Sequence, residues 1–353
     1  MATRGHALRT YALRRLMLML PTLLGVTFFV FLLCQFVPGG PIDQMKMRIA
    51  GAGDFGEVGG SGRSSGQRAS SLDIPENDLL ALKKYYGFDK PILTRYGAYL
   101  IKLVSFDLGD SFRYTMPVKT LIASRFPVSI YFGVIAFLLT YLVCIPLGIV
   151  KALKHKTRLD NATSILIFLG YSIPGYALGA VLLALFAVQN DWFPLAGFES
   201  QGFSELSFFD KILDRVHHTA LPVICYAIHL FAFMTILTKN SLMENMSADY
   251  VKTALAKGLT WPRAVFGHAL RNSLIPIATS FGNNISLILT GSLLIERVFG
   301  IPGMGLLFFE AITARDYPIV MGYIFVSSAL MLIGNLLSDL CVAGVDPRVR
   351  FGE

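Results

Sequence analysis

The chain has 353 residues, of which 54% are hydrophobic and only 15% charged, with a mean hydropathy of +0.58. A soluble domain carries about 25% charged residues, so this composition excludes a water-solvated globule and points to lipid as the main solvent. The net charge of +8 comes without any nucleic-acid motif. Basic residues bordering apolar runs mark membrane topology instead, and no nucleic-acid partner is expected.

A hydrocarbon core about 30 Å thick needs roughly 20 apolar residues in a helix. Six stretches reach that length: 16–37, 126–150, 165–188, 219–238, 273–295 and 318–338. None contains Asp, Glu, Lys or Arg, and His229 is the one histidine within them. The expected fold is therefore an all-α polytopic membrane protein with six transmembrane helices. The first stretch is longer than the 7–15 residues of a signal-peptide core, and Gln35-Phe36-Val37-Pro38 makes a poor cleavage site, so it is expected to stay as a helix.

In chain order, residues 1–15 form a basic N-terminal segment. The loop 38–125 opens with a Gly/Ser-rich part, 51–71, and then regains aromatic and apolar spacing over 78–125. That second part suits amphipathic helices lying at the outer membrane surface, or a small packed external subdomain. Residues 126–350 form the core, interrupted by the loop 239–272. The cysteines Cys34, Cys144, Cys225 and Cys341 fall in or beside apolar runs without CxxC spacing, as small buried hydrophobes do.

Lysine and arginine in the short loops set the orientation. Arg4, Arg9, Arg14, Arg15, Lys151, Lys154, Lys156, Arg158, Lys239, Lys252, Lys257, Arg263, Arg271, Arg348 and Arg350 fall on one side; Lys211, Arg215, Arg297 and Arg315 fall opposite. Both termini are expected in the cytoplasm.

The cytoplasmic loop 239–272 is the most informative stretch. Ser247 is placed to cap a helix starting near Ala248, on which Ala254 and Gly258 lie four apart. Gly258 or its successor ends that helix, and Pro262 suits the first turn of another. Two short helices with a small-residue face make a surface onto which another protein could pack; a hairpin resting on lipid headgroups has the same spacing.

Tyr250-Val251-Lys252-Thr253-Ala254-Leu255-Ala256-Lys257-Gly258-Leu259, followed by His268-Ala269-Leu270-Arg271-Asn272-Ser273-Leu274-Ile275-Pro276, resembles the coupling (EAA) loop of binding-protein-dependent ABC importer permeases of the oligopeptide/dipeptide/nickel group. The resemblance extends through Val37-Pro38-Gly39-Gly40-Pro41, Tyr86-Gly87-Phe88-Asp89-Lys90-Pro91, Gly291-Ser292-Leu293-Leu294-Ile295-Glu296 and Asp346-Pro347-Arg348. The Gly/Ser-rich insertion and the run LTKNSLMEN are most similar to the Yej-type subgroup, associated with peptides and the peptide-nucleotide microcin C. The general pattern has Glu-Ala-Ala where this chain has Lys252-Thr253-Ala254.

The resemblance implies the type I ABC importer permease fold in a bacterial inner membrane. It implies an ATPase-coupling set at Tyr250, Val251, Thr253, Ala254, Ala256, Lys257 and Gly258. The implied partners are a second homologous permease subunit, two cytoplasmic ABC ATPase domains and a periplasmic substrate-binding protein. ATP and magnesium are expected on the ATPase partners, and neither cofactor nor metal on this chain. Nickel or another small solute is the alternative cargo.

In the fifth apolar stretch Thr279, Asn283, Ser286 and Thr290 share one helical face. Such a stripe lines a water-filled path or bonds neighbouring helices; the resemblance favours the path, with Glu296 at its outer end. The loop after Glu296 suits a gate or a binding-protein contact, and a local Glu296–Arg297 charge balance is the plainer reading. No GxxxxGK[ST] run and no nucleophile–base set is present, so neither nucleotide binding nor enzymatic chemistry is expected of this chain. An ion-coupled transporter would need a buried titratable relay, for which the spans offer only His229.

Overall fold

The computed structural model describes residues 2–36 and 90–345; for residues 2–10, 229, 281–290 and 341–345 only the backbone is described. The Gly/Ser-rich segment 51–71 and the first part of 78–125 lie outside the described residues. All the named elements are helical. They are α1 (Ala2–Phe36), α2 (Ile92–Val104), α3 (Val118–Leu153), α4 (Arg158–Ser172), α5 (Gly175–Leu182, continued by a π-helical turn Leu183–Val188) and α6 (Phe208–Ser247). There follow α7 (Asp249–Ala256), α8 (Trp261–Ala264, continued by a π-helical turn Val265–Ala269), α9 (Leu270–Thr290), α10 (Leu293–Val298), α11 (Met304–Thr313) and α12 (Tyr317–Val345).

Among the described residues, Tyr11–Phe36, Val118–Leu153 and Tyr317–Leu340 are each long and apolar enough to cross a bilayer as one helix. Two bent pairs, Arg158–Ser172 with Gly175–Val188 and Phe208–Ile228 with Leu230–Ser247, add up to two further spans. Met17, Leu20, Phe29 and Phe36 on α1, and Leu138 and Leu142 on α3, are exposed. Lipid tails solvate such faces at no cost, whereas water would not.

Besides the bend within 219–238, two expected spans break into separate helices. The stretch 165–188 turns through 95° between α4 and α5. Ile173 lies in extended conformation (φ −95°, ψ 122°), because the ring of Pro174 disfavours helical backbone in the residue before it. The stretch 273–295 breaks where α9 ends at Thr290 and Gly291 adopts φ +74°, so Glu296 belongs to the separate short helix α10.

The chain forms two compact units. The larger comprises Met1–Leu20, Ser124–Phe309 and Ser327–Glu353, the smaller Pro21–Ala123 and Glu310–Val326. In the larger unit one core joins Phe132, Leu221, Val223, Cys225, Ile295, Phe299 and Ile301. A second core of Ala152, Leu242, Val251, Ala264, Val265 and Ala269 underlies the α7–α8 turn. In the smaller unit Tyr96 donates to the Leu24 carbonyl at 2.8 Å, and Tyr99 stacks on Phe31. There, too, Ser111 donates to Asp316 at 2.6 Å and the Arg113 N–H at 3.0 Å, while Tyr114 bonds Glu310.

Candidate functional site

The α7–α8 turn is built by local rules. Ala248 is extended and begins α7 without a side-chain cap. Ser247, expected to cap α7, instead donates to the Glu244 carbonyl at 2.8 Å and closes α6. A serine hydroxyl at a helix end is within reach of the carbonyls of the preceding turn, and here that bond wins. At the other end Lys257 leaves helical geometry and Gly258 takes φ +87°. Gly258 N–H then donates to the Leu255 carbonyl at 2.9 Å and Leu259 N–H to the Ala254 carbonyl at 3.2 Å. This pair of bonds is a Schellman cap, which requires a left-handed residue at the position Gly258 fills. Pro262 sits in the first turn of α8, where its missing N–H costs nothing.

The coupling set divides between two faces. Val251 is 2% exposed, and Ala254 is partly buried against the core that Val251 shares with Leu242, Ala264 and Val265. Tyr250, Thr253, Ala256, Lys257 and Gly258 are exposed. Ala254 and Gly258 therefore do not share an outward face, because the chain has already left the helix at Gly258. Lys252 donates to Asp249 at 2.8 Å and holds that carboxyl below its ordinary range. The turn thus has an apolar root, which fixes its pose, and a solvent face of small and basic residues.

On α9, Ser273 and Ile277 are buried, whereas Thr279 is exposed. Thr279 Oγ1 donates to its own helix at the Ile275 carbonyl, and its carbonyl accepts from Ser338 on α12 at 2.5 Å. The side chains of Asn283, Ser286 and Thr290, and that of His229, lie outside the described residues.

Glu296 has a different setting from the one expected at the mouth of a path. It is 0% exposed. Its Oε1 accepts from Tyr226 OH at 2.9 Å and Ser129 Oγ at 3.0 Å, and its Oε2 from the Leu306 N–H at 2.8 Å. Arg297 does not pair with it; the guanidinium lies over the Phe309 ring. A fully buried carboxyl group satisfied by neutral donors is a strut joining α3, α6, α10 and α11.

A second buried node was not foreseen. Lys151 on α3 donates to Asp160 at 3.0 Å, to Thr163 at 2.7 Å and to Ser164 at 2.9 Å. Lys239 on α6 reaches the same carboxylate at 2.7 Å. Lys151 and Asp160 are nearly fully buried, so the positive charge that marked membrane topology is here consumed in tying α3, α4 and α6 together. The signal available in the sequence was a lone Asp160 amid a basic loop.

His218 lies beside Asp214, but Ser200 bonds that carboxylate directly, so Ser200 has no histidine base. Among the described residues no group of three or more His, Cys, Asp or Glu could hold a metal.

Residues 144–351 match the family of binding-protein-dependent transport system inner membrane components, and the chain belongs to that family. It is 39% identical over 356 residues to the peptidoglycan transport system permease protein YejB of Agrobacterium fabrum, covering 97% of this chain and 98% of that one. It is 38% identical to the inner membrane ABC transporter permease protein YejB of Escherichia coli O157:H7, with 97% and 98% covered. To the oligopeptide transport system permease protein AppB of Bacillus subtilis it is 31% identical, with 97% and 99% covered. The chain is thus a multi-pass permease subunit of a bacterial inner-membrane ABC transporter and not an enzyme. Its family works with ATPase and binding-protein components.

Proposed function

We propose that the chain forms half of the translocation path of an ATP-driven importer for peptides, peptide antibiotics such as microcin C included. The observation that carries this reading is the α7–α8 turn, rooted in the core through Val251 and presenting Tyr250, Thr253, Ala256, Lys257 and Gly258. Such a turn passes a push from an ATPase cleft into α6 and α9, because Val251 is buried in one core with Leu242 of α6, and Leu270 of α9 packs against that core. Peptide cargo is supported by relatives named for peptidoglycan and oligopeptide transport.

In this reading residues 1–15 and 239–272 face the cytoplasm and 38–125 the periplasm, and residues 126–350 are the permease core. A second permease completes the path; two ATPase domains carry ATP and magnesium. Thr279, Asn283, Ser286 and Thr290 line the path, and Glu296 braces its wall. ATP-driven closure moves the coupling turns and opens the path to a loaded binding protein, and the turn's differential contacts with the two ATPase states supply the shift.

The test is Ala256→Glu in the complete importer, which places a charge on the exposed docking face and leaves the Val251 root intact. Copurifying ATPase and peptide-stimulated hydrolysis are both expected to fall to background. Full retention with normal stimulation removes the docking assignment. Uptake of nickel but not of a labelled tripeptide by vesicles carrying the importer removes the peptide assignment.

A further inference from the structure

Where α6 ends, α7 begins and α9 starts, the larger unit contains an open pocket of about 410 Å3. Glu244, Asn245, Ala248, Tyr250, Asn272 and Pro276 are among its lining residues. No lysine or arginine lines it, although the surrounding loops are rich in both. Glu244 is exposed, and among the described residues no cation pairs with its carboxylate. Asn245 is locked: its Nδ2 donates to the Ser241 carbonyl at 2.8 Å and its Oδ1 accepts from Tyr250 OH at 2.6 Å. A carboxamide oxygen has two lone pairs, so Asn245 Oδ1 keeps one acceptor site. Asn272 is half-buried, and its carboxamide bonds to no described residue.

The pocket's place on α9 gives this chemistry a meaning. Asn272 and Pro276 precede Thr279 by seven and three residues, and Asn283, Ser286 and Thr290 continue the same 3–4 spacing. At 3.6 residues per turn these positions share one side of the helix. The described half agrees: Ser273 and Ile277 are buried, whereas Asn272 and Thr279 are not. The pocket is the end of the polar stripe nearest the coupling turn.

We propose that this pocket is an exit-side subsite for the amino terminus of a peptide; the proposal rests on the peptide-importer reading above. An α-ammonium presents three donors and one positive charge, and Glu244 with the amide oxygens of Asn245 and Asn272 supplies the matching acceptors. Ala248 and Pro276 give the first side chain an apolar floor. The volume lies at the small end of the range for small-molecule pockets, about 300–1,000 Å3, which suits a di- or tripeptide. An anion has no cation to meet here. Because Tyr250 belongs both to the pocket and to α7, an occupied pocket braces the first turn of the coupling helix.

The experiment uses the complete transporter in nanodiscs, without binding protein, and compares labelled trialanine with N-acetyl-trialanine by equilibrium dialysis. Acetylation removes the charge, so the acetylated peptide is expected to bind about tenfold or more weakly, as loss of a charge-assisted bond does. Glu244→Gln is expected to weaken trialanine by a similar factor and to abolish the preference. Equal binding of the two peptides to the unaltered transporter, or a preference that survives Glu244→Gln, overturns the subsite. If Glu244→Gln instead strips the ATPase subunits during copurification, the pocket holds a basic side chain of the ATPase and the proposal also fails. Should that variant not accumulate, Asn272→Asp adds a second carboxylate and is expected to strengthen the preference; no change overturns the proposal. Vesicle uptake of trialanine separates the two levels. Uptake without any pocket preference sinks only the subsite, whereas no uptake sinks the peptide reading beneath it.

Discussion

Tyr226 on α6 donates to Glu296 on α10 across 2.9 Å, and the same hydroxyl accepts from the Ser292 N–H at 2.9 Å. Ser129 repeats the pattern, accepting from Met304 N–H at 2.8 Å while donating to Glu296. Each hydroxyl has spent an acceptor site on a backbone N–H, so its proton is directed at the carboxylate. The distant helices α3 and α6 thereby meet the adjacent α10 and α11 on one side chain.

Removing that acceptor leaves buried donors unpaired, at about 1–3 kcal/mol each. Glu296→Ala is expected to lower the detergent-solubilised permease's unfolding midpoint sharply. Tyr226→Phe, which deletes one hydroxyl, should cost about 1 kcal/mol. Differential scanning fluorimetry on the two variants checks the order; a larger loss for Tyr226→Phe contradicts the strut.

Gly305 lies against the same node. A Cβ there would stand 2.6 Å from Leu293 N and from the Ser292 carbonyl carbon, both backbone atoms that cannot swing aside. Gly305→Ala is expected to destabilise by about 1–3 kcal/mol, the usual cost of overpacking. Gly267→Ala, where nothing lies within 4 Å, should be close to neutral. Equal unfolding midpoints for the two would show that the α10–α11 approach is looser than described.

Asp160 pairs with Lys151 and Lys239 at once. Asp160→Ala strands a buried ammonium, a change that costs about 3–5 kcal/mol when a buried pair loses one partner. The loss should persist at high salt, because a buried pair is poorly screened. A loss of stability that vanishes in 1 M salt, measured by thermal unfolding, would point to a surface interaction instead.

Orientation has a separate test. A cysteine introduced at Ser61 is expected to react with an impermeant thiol reagent added outside spheroplasts, and one at Lys156 is not. Mass shifts on the purified chain report the labelling, and the reverse pattern overturns the assignment of sides.

Much of the α7–α8 turn was legible in the sequence because its determinants are local. The left-handed stop at Gly258 and the early-turn Pro262 follow from backbone sterics within a few residues. Ser247 was misread for an equally local reason: two backbone partners lay within reach, and spacing alone does not rank them. The inward pose of Val251 and Ala254 was not legible, since either side of an eight-residue helix can face a core when the neighbouring helices are unknown. Asn272 was within reach, because stepping back from Thr279 by one heptad leads to it.

Composition and charge placement by themselves determined that this chain lives in lipid and that its framework is helical, and local backbone sterics determined where the α7 helix ends. These depend on transfer of side chains from water and on short-range backbone geometry. Only the tertiary structure decided that Glu296 is fully buried among neutral donors, that Lys151 is buried against Asp160, and that Glu244 and Asn272 share one pocket. Each of these facts joins residues on different helices, and which partner a polar side chain finds is settled by the packing of whole helices.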